Sequence, residues 1–372
     1  MRILVTGGAG FIGGHLVRSL LKSGHAVRVL DNLTAQVHGV NPDPARILPS
    51  KVDFIPGDIR DEKILRRALE GIEVVYHLAA QTGVGQSMYE IKEYISCNIG
   101  GTAQLLDLLV KAKKKVSRLI VASSRAVYGE GKYSCPNCAV VYPPVRSIEQ
   151  MDRNDWEVHC PNCASELIPL PTDEDKPLRP GSIYAISKRD QEEVSICIGQ
   201  AYRIPTTALR FFNVYGSGQS LSNPYTGIIT IFASRIRSGK PPLVYEDGLE
   251  SRDFVHVSDA VNACVLAMTS TSADYQVINV GHGTAISVLE MARIMIREMK
   301  ADLEPQVIGK YRVGDIRHCC ADLKRAKQCL GYQPQVSFTD GLREFLNWAQ
   351  NMKLEDRLES ATTELKRRGL YR

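Results

Sequence analysis

The chain has 372 residues, 44% of them hydrophobic and 23% charged, with a net charge of +5. That length supports a large core and two lobes, and the mild positive charge suits a phosphate-bearing small ligand while arguing against nucleic acid. No apolar run approaches the roughly eighteen residues of a membrane span, so no membrane partner is expected. The glycine-punctuated N-terminus lacks the cleavage site of a signal peptide. Of ten cysteines, six (Cys97, Cys197, Cys264, Cys319, Cys320, Cys329) are scattered and read as core fillers in a reducing cytoplasm.

In chain order, "RILVTG" reads as a strand, the segment from Gly13 to Ser23 as a helix and "AVRVLDN" as a second strand. "VDFIPGD", "VVYHLAA" and "SRLIVASS" continue the series, with helical patterns between them. This rhythm predicts an α/β fold, a doubly wound parallel sheet with its ligand at the carboxyl ends of the strands. After the first strand, "VTGGAGFIGGHL" sets Gly8, Gly10 and Gly13 in dinucleotide spacing, and Gly7, Gly10 and Gly13 in a second, regular one. Bare backbone around Phe11 and Ile12 lets a pyrophosphate approach the helix N-terminus. Asp31, eighteen positions after Gly13, can accept from an adenosine ribose. Asn32 and Leu33 follow it, with no cation for a 2′-phosphate, so NAD is favoured over NADP.

The rhythm stops near Glu130. In residues 132–175 two Cys-Pro-Asn-Cys knuckles, Cys135/Cys138 and Cys160/Cys163, stand twenty-one residues apart. That spacing matches a zinc ribbon, whose four thiolates close a structural site. A dithiol redox pair is the main competitor. Glu149, Asp152, Asp155, Glu157 and Glu166 argue against a nucleic-acid finger, and Trp156 is the expected apolar centre. The stems of the insertion flank Ser124 and Tyr184, so it is expected to cover or buttress the ligand pocket or to pack on a partner subunit.

"SIYAISKRD" then places Tyr184 and Lys188 on one helical face. A lysine ammonium beside a phenol favours the phenolate, a base for a sugar hydroxyl, and Ser123 and Ser124 end the strand upstream. "TTALRFFNVYG" gives another strand, and a mixed pattern follows Ser217. The expected organisation is a dinucleotide-binding domain at 1–131 and 176–216, the insertion at 132–175, and a smaller α/β substrate lobe at 217–350. Residues 250–270 of that lobe return to the first domain, and 351–372 form a charged surface helix or frayed tail.

"TGGAGFIG", "GDIRD", "HLAAQ", "SSRAVYG", "YAISK", "LRFFNVYG", "RDFVHVSD" and "VGDIRH" occur in that order. In these motifs the chain resembles the extended short-chain dehydrogenase/reductase family of nucleotide-sugar epimerases and dehydratases. The resemblance implies an NAD-binding Rossmann fold with Ser124, Tyr184 and Lys188 as the catalytic triad. It implies Asp58 and Ile59 by the adenine and Leu78, Ala79 and Ala80 along the cofactor channel, with Asn98, Ser123, Phe211 and Val214 near the cofactor. Asn213, Arg252, Arg312 and Asp315 would bind the nucleotide diphosphate of the substrate.

Family dehydratases carry an Asp-Glu pair directly after the serine, and the decarboxylases a glutamate at the second position. Arg125 and Ala126 stand there instead, which leaves 4-epimerisation. "AAQTGVGQSMYEI", "SSRAVYGEG", the paired knuckles and "RFFNVYGSGQSLSNPYTGIITIFASRI" resemble the branch interconverting dTDP-L-rhamnose and dTDP-6-deoxy-L-talose. A UDP-glucose/UDP-galactose type 4-epimerase is the alternative, and a non-catalytic NAD-binding module is the alternative from another class. The resemblance also implies a homodimer through helices near Ile91–Val110 and Tyr184–Tyr202.

Overall fold

Short runs of Val, Ile and Leu build seven parallel strands in the computed structural model, which describes residues 1–221, 227–352 and 358–372. Their order is Val277–Val280, Thr206–Phe211, Arg118–Ser124, Val74–His77, Arg2–Thr6, Ala26–Asp31 and Asp53–Pro56. Side chains alternate between faces along each strand. Ile3 and Val5 thus join Leu16, Val17 and Ala260 on one face, while Leu4 joins Leu65, Leu105 and Leu109 on the other. Burial on both faces explains why the strands read as continuous apolar runs. The order reverses between Arg2–Thr6 and Val74–His77, and that switch point opens the ligand crevice.

A second sheet joins Asn213–Tyr215, Ser251–His256 and Ala285–Ser287, with His318–Cys319 pairing alongside Ser251 and Arg252. Helices Ile228–Arg237, Val288–Glu298 and Phe338–Gln350 bury Phe232, Met291, Met295, Leu342 and Phe345 against it. Between the two strands Ser251–His256 and Val277–Val280, the helix Val257–Thr269 packs on the core of the main sheet.

The insertion folds as a three-stranded antiparallel sheet, with Lys132–Cys135 between Ala139–Val141 and Ile168–Leu170. Its small core is Tyr133, Val141, Val158 and Leu167 with Cys135 and Cys160. Trp156 is not that centre. It stands outside with its ring 6.1 Å from that of Tyr311, because Tyr133 already fills the space and sends its hydroxyl to Glu130.

The tail carries a helix, one of its two expected forms, and its end is pinned to the rest of the chain. Residues 353–357 lie outside the described residues, but beyond the helix Leu358–Arg367 the chain end pairs with the segment before Gly314. Tyr311 N donates to Arg372 O at 2.9 Å, Arg372 N returns to Tyr311 O at 3.0 Å, and Val313 N donates to Leu370 O at 3.1 Å. Leu365 is buried beside them. Among the described residues no helix is long and apolar enough to cross a membrane.

Candidate active site

One cleft of about 1190 Å³ runs from the glycine loop to the second lobe. At its first end Gly7 has φ +70°, and a Cβ there would sit 2.7 Å from the backbone nitrogen of Ala79. A Cβ on Gly13 would lie 2.3 Å from Gly7 O, so the turn closes only without side chains. Gly10 caps the helix Phe11–Lys22 with no side-chain bond, which leaves the first helical N–H groups for an anion.

Asp31 is fixed at the end of its strand: its carboxylate accepts from Ala9 N at 3.0 Å and Leu33 N at 2.9 Å. Asp58 is gripped by Arg60, at 2.7 and 2.8 Å, and accepts from the Asn32 amide at 3.0 Å. The Arg60 hydrogen bonds hold its carboxyl below the usual range against the opposing effect of burial. Ile59, Leu78, Ala79, Ala80, Phe211 and Val214 line the same groove. These residues fit a dinucleotide.

Asn98 does not line the cleft. It is fully buried on the π-turn Ile95–Gly100, one layer behind. There it accepts from Gln81 N at 2.7 Å and donates to Ser187 Oγ at 2.8 Å. It therefore fixes the loop after Ala80.

At the middle of the cleft Tyr184 and Lys188 share one face of the helix Ile183–Tyr202, whose cap Ser182 accepts from Ala185 N at 3.1 Å. Lys188 Nζ donates to Ala122 O at 2.9 Å, and burial brings its pKa down to about 8. Burial pushes the Tyr184 phenol up, opposed first by a hydrogen bond with the Ser124 hydroxyl and then by the charge of Arg125. Ser123 is different, because its hydroxyl is spent on Glu192 at 2.7 Å. Of the two serines, Ser124 is the one turned to the phenol.

Toward the second lobe Asn213 Oδ1 is buried with no hydrogen-bond partner among the described residues. Arg252 is anchored: Nη1 donates to Ser251 O and Arg317 O, and Nη2 to Ile316 O and the Asp315 carboxylate. That occupies both terminal nitrogens and leaves Nε. Arg312 spends one bond on Asp315, at 2.8 Å, lies 5.3 Å from the Tyr245 ring and lines the cleft. Burial would raise the Asp315 pKa, but Arg312, Arg252 and Arg125 outweigh it and keep the group ionised.

Sequence reasoning passed over Arg125 as neither acid nor base. Among the described residues its guanidinium has no hydrogen bond or ion pair, and it lines the cleft beside Ser124. Its place after the serine was a signal for local charge. Tyr245, Glu250 and the C-terminal Leu365 and Leu370 also line the cleft, and nothing local in the sequence marks them.

The profile of the NAD dependent epimerase/dehydratase family matches residues 3–149 and 162–281, skipping part of the insertion. The chain belongs to this family. Among curated relatives, the dTDP-L-rhamnose 4-epimerase of Burkholderia thailandensis is 37% identical over 349 residues, 93% of this chain and 94% of the relative. Among solved structures, the Thermotoga maritima UDP-glucose 4-epimerase with UDP-glucose matches with a TM-score of 0.76 and 30% identity, over 94% of this chain and 99% of that one. The Bacillus cereus UDP-glucuronic acid 4-epimerase with UDP-glucuronic acid and NAD matches with 0.77 and 27%, over 95% of this chain and 100% of that one.

Proposed function

We propose that the protein is an NAD-dependent nucleotide-sugar 4-epimerase that interconverts dTDP-L-rhamnose and dTDP-6-deoxy-L-talose. The observation that carries this reading is the grouping of Ser124, Tyr184 and Lys188 in one cleft, followed by Arg125 and Ala126. Tyr184, as phenolate, takes the proton of the sugar 4-hydroxyl, and Ser124 holds the same oxygen. Lys188 sustains the charge balance from its anchor on Ala122. NAD held along the glycine loop and Asp31 would supply the hydride acceptor and donor for C4. Arg125 and Ala126 offer neither an acid nor a base for elimination across C5 and C6, so the 4-keto sugar has one outlet. It turns in the cleft and receives hydride on its opposite face, while Tyr184 gives the proton back.

The identity with the dTDP-L-rhamnose relative supports the sugar. The UDP-glucose complex favours a second reading, a UDP-hexose 4-epimerase. Incubating the NAD-loaded protein separately with dTDP-L-rhamnose and UDP-glucose tests both: a new dTDP-6-deoxy-L-talose signal supports the first and a UDP-galactose signal the second. In either reading Arg312 and Asn213, with Arg252 behind them, receive the diphosphate, a charge-assisted contact.

The insertion is proposed to bind one structural zinc. The sulfurs of Cys135, Cys138, Cys160 and Cys163 lie within 4.8 Å of one another, and all are free thiols. That spacing fits four thiolates around one ion, and the metal would supply folding energy to a segment with a very small core. Ten free thiols suit the cytoplasm. A homodimer is proposed through helical surfaces that expose Ile91, Ile95, Ile186 and Val194.

A further inference from the structure

The segment Tyr311–His318 carries Arg312 and Asp315, and the insertion holds it from several sides. Arg146 of the insertion is buried and places both terminal nitrogens on Glu246 of the second lobe, at 2.7 and 2.9 Å. The same guanidinium donates to Trp156 O at 2.7 Å and to Asp315 O at 3.3 Å. Arg317, with no exposed surface, is shared between Glu157 of the insertion, at 3.1 Å from Nε, and the two oxygens of Asp247, at 2.6 and 2.8 Å, and reaches Glu246 at 3.0 Å. Its own carbonyl is one of the anchors of Arg252. Asp152 of the insertion accepts the Tyr311 hydroxyl at 2.5 Å, immediately before Arg312.

We propose that the insertion is a positioning element for the substrate's diphosphate: through Arg146, Glu157 and Asp152 it fixes the segment that aims Arg312 and anchors Arg252. The proposal rests on reading Arg312 as a diphosphate donor. Hydrogen bonds to charged groups are among the strong ones, and an arginine whose loop drifts loses its directional contacts. Glu157 stands three residues before Cys160, so the cysteine cluster fixes the frame from which these side chains reach.

The test uses the full-length, NAD-loaded protein with dTDP and UDP as probes, both of which carry the diphosphate. Arg146→Lys keeps a cation beside Glu246 but loses the fork on it and the bonds to the Trp156 and Asp315 carbonyls, and Asp152→Asn alters a half-exposed group. Titration calorimetry is expected to show both nucleotides about tenfold weaker on Arg146→Lys and measurably weaker on Asp152→Asn, with NAD affinity unchanged. Arg312→Ala is the control for the diphosphate reading and is expected to weaken both probes. Wild-type nucleotide affinity in both insertion variants beside a weakened Arg312→Ala overturns the positioning role alone. Wild-type affinity in Arg312→Ala removes the diphosphate reading and this proposal with it. A parallel loss of NAD affinity marks general loosening and also overturns the proposal.

Discussion

Lys188 donates its ammonium to the carbonyl of Ala122, 2.9 Å away, two residues before the serine that faces Tyr184. The lysine thereby ties the helix of Tyr184 to the end of the strand that carries Ser124. Arg125, on the turn after that strand, contributes the positive charge that acts on the Tyr184 phenol. The surroundings of the phenol are thus set by groups from two elements.

Tyr184→Phe removes the proposed proton acceptor and keeps the ring. General acid–base groups contribute about 10²–10⁴-fold, so turnover is expected to fall by about that factor. NAD affinity, measured by fluorescence titration, should stay within about twofold of wild type.

Arg125→Met should move the rate profile to higher pH. A neighbouring cation favours the phenolate, and removing it raises the Tyr184 pKa, so the active base is populated only at more alkaline pH. Arg125→Lys should restore the profile in part. Identical kcat–pH curves for wild type and Arg125→Met would show that the arginine does not act on the phenol.

His77 gives a pH signature of stability. It is buried among Thr6, Thr102 and Gln191, and burial, then the charge of Lys188, hold its pKa down to about 3. The unfolded chain binds this proton near pH 6.5, so between about pH 6.5 and 3 the unfolded state carries more protons. Stability therefore falls as pH falls through that window, with a slope from this group approaching about 1.4 kcal/mol per pH unit. Urea unfolding at pH 7 and 5 should show a smaller pH loss in His77→Gln than in wild type.

Asp31→Asn should relax cofactor choice. Its carboxylate is held by Ala9 N and Leu33 N where an added 2′-phosphate would meet its charge. The ratio of NAD to NADP affinity should fall by about tenfold or more, read by titration with each cofactor.

Metal analysis of protein purified without chelator should find about one zinc per chain. Stripping it with a chelator should lower the melting temperature by several degrees. A metal-free protein with an unchanged melting temperature would refute the structural role.

What was legible in the sequence is what local spacing encodes. The glycine loop, Asp31, the Tyr184–Lys188 pair and the two knuckles each need residues within a few turns of one another, and the structure brings each set together. Contacts set by distant chain were not legible. Four donors of Arg252 go to Ser251 and to residues 315–317, which no motif announces. Asn98 is drawn behind the cleft by Ser187, far along the chain. Trp156 finds Tyr311 in place of the insertion's core, and the chain end beyond the helix Leu358–Arg367 pairs with the Arg312 segment, a long-range contact that the charged composition does not announce.

The central claim is that C4 is oxidised and reduced again within one turnover. The most direct measurement follows dTDP-L-rhamnose deuterated at C4 through the NAD-loaded protein by NMR. The account predicts dTDP-6-deoxy-L-talose with deuterium retained at C4 and no net consumption of NAD. A product that carries solvent hydrogen at C4, or no conversion of this substrate at all, would contradict it.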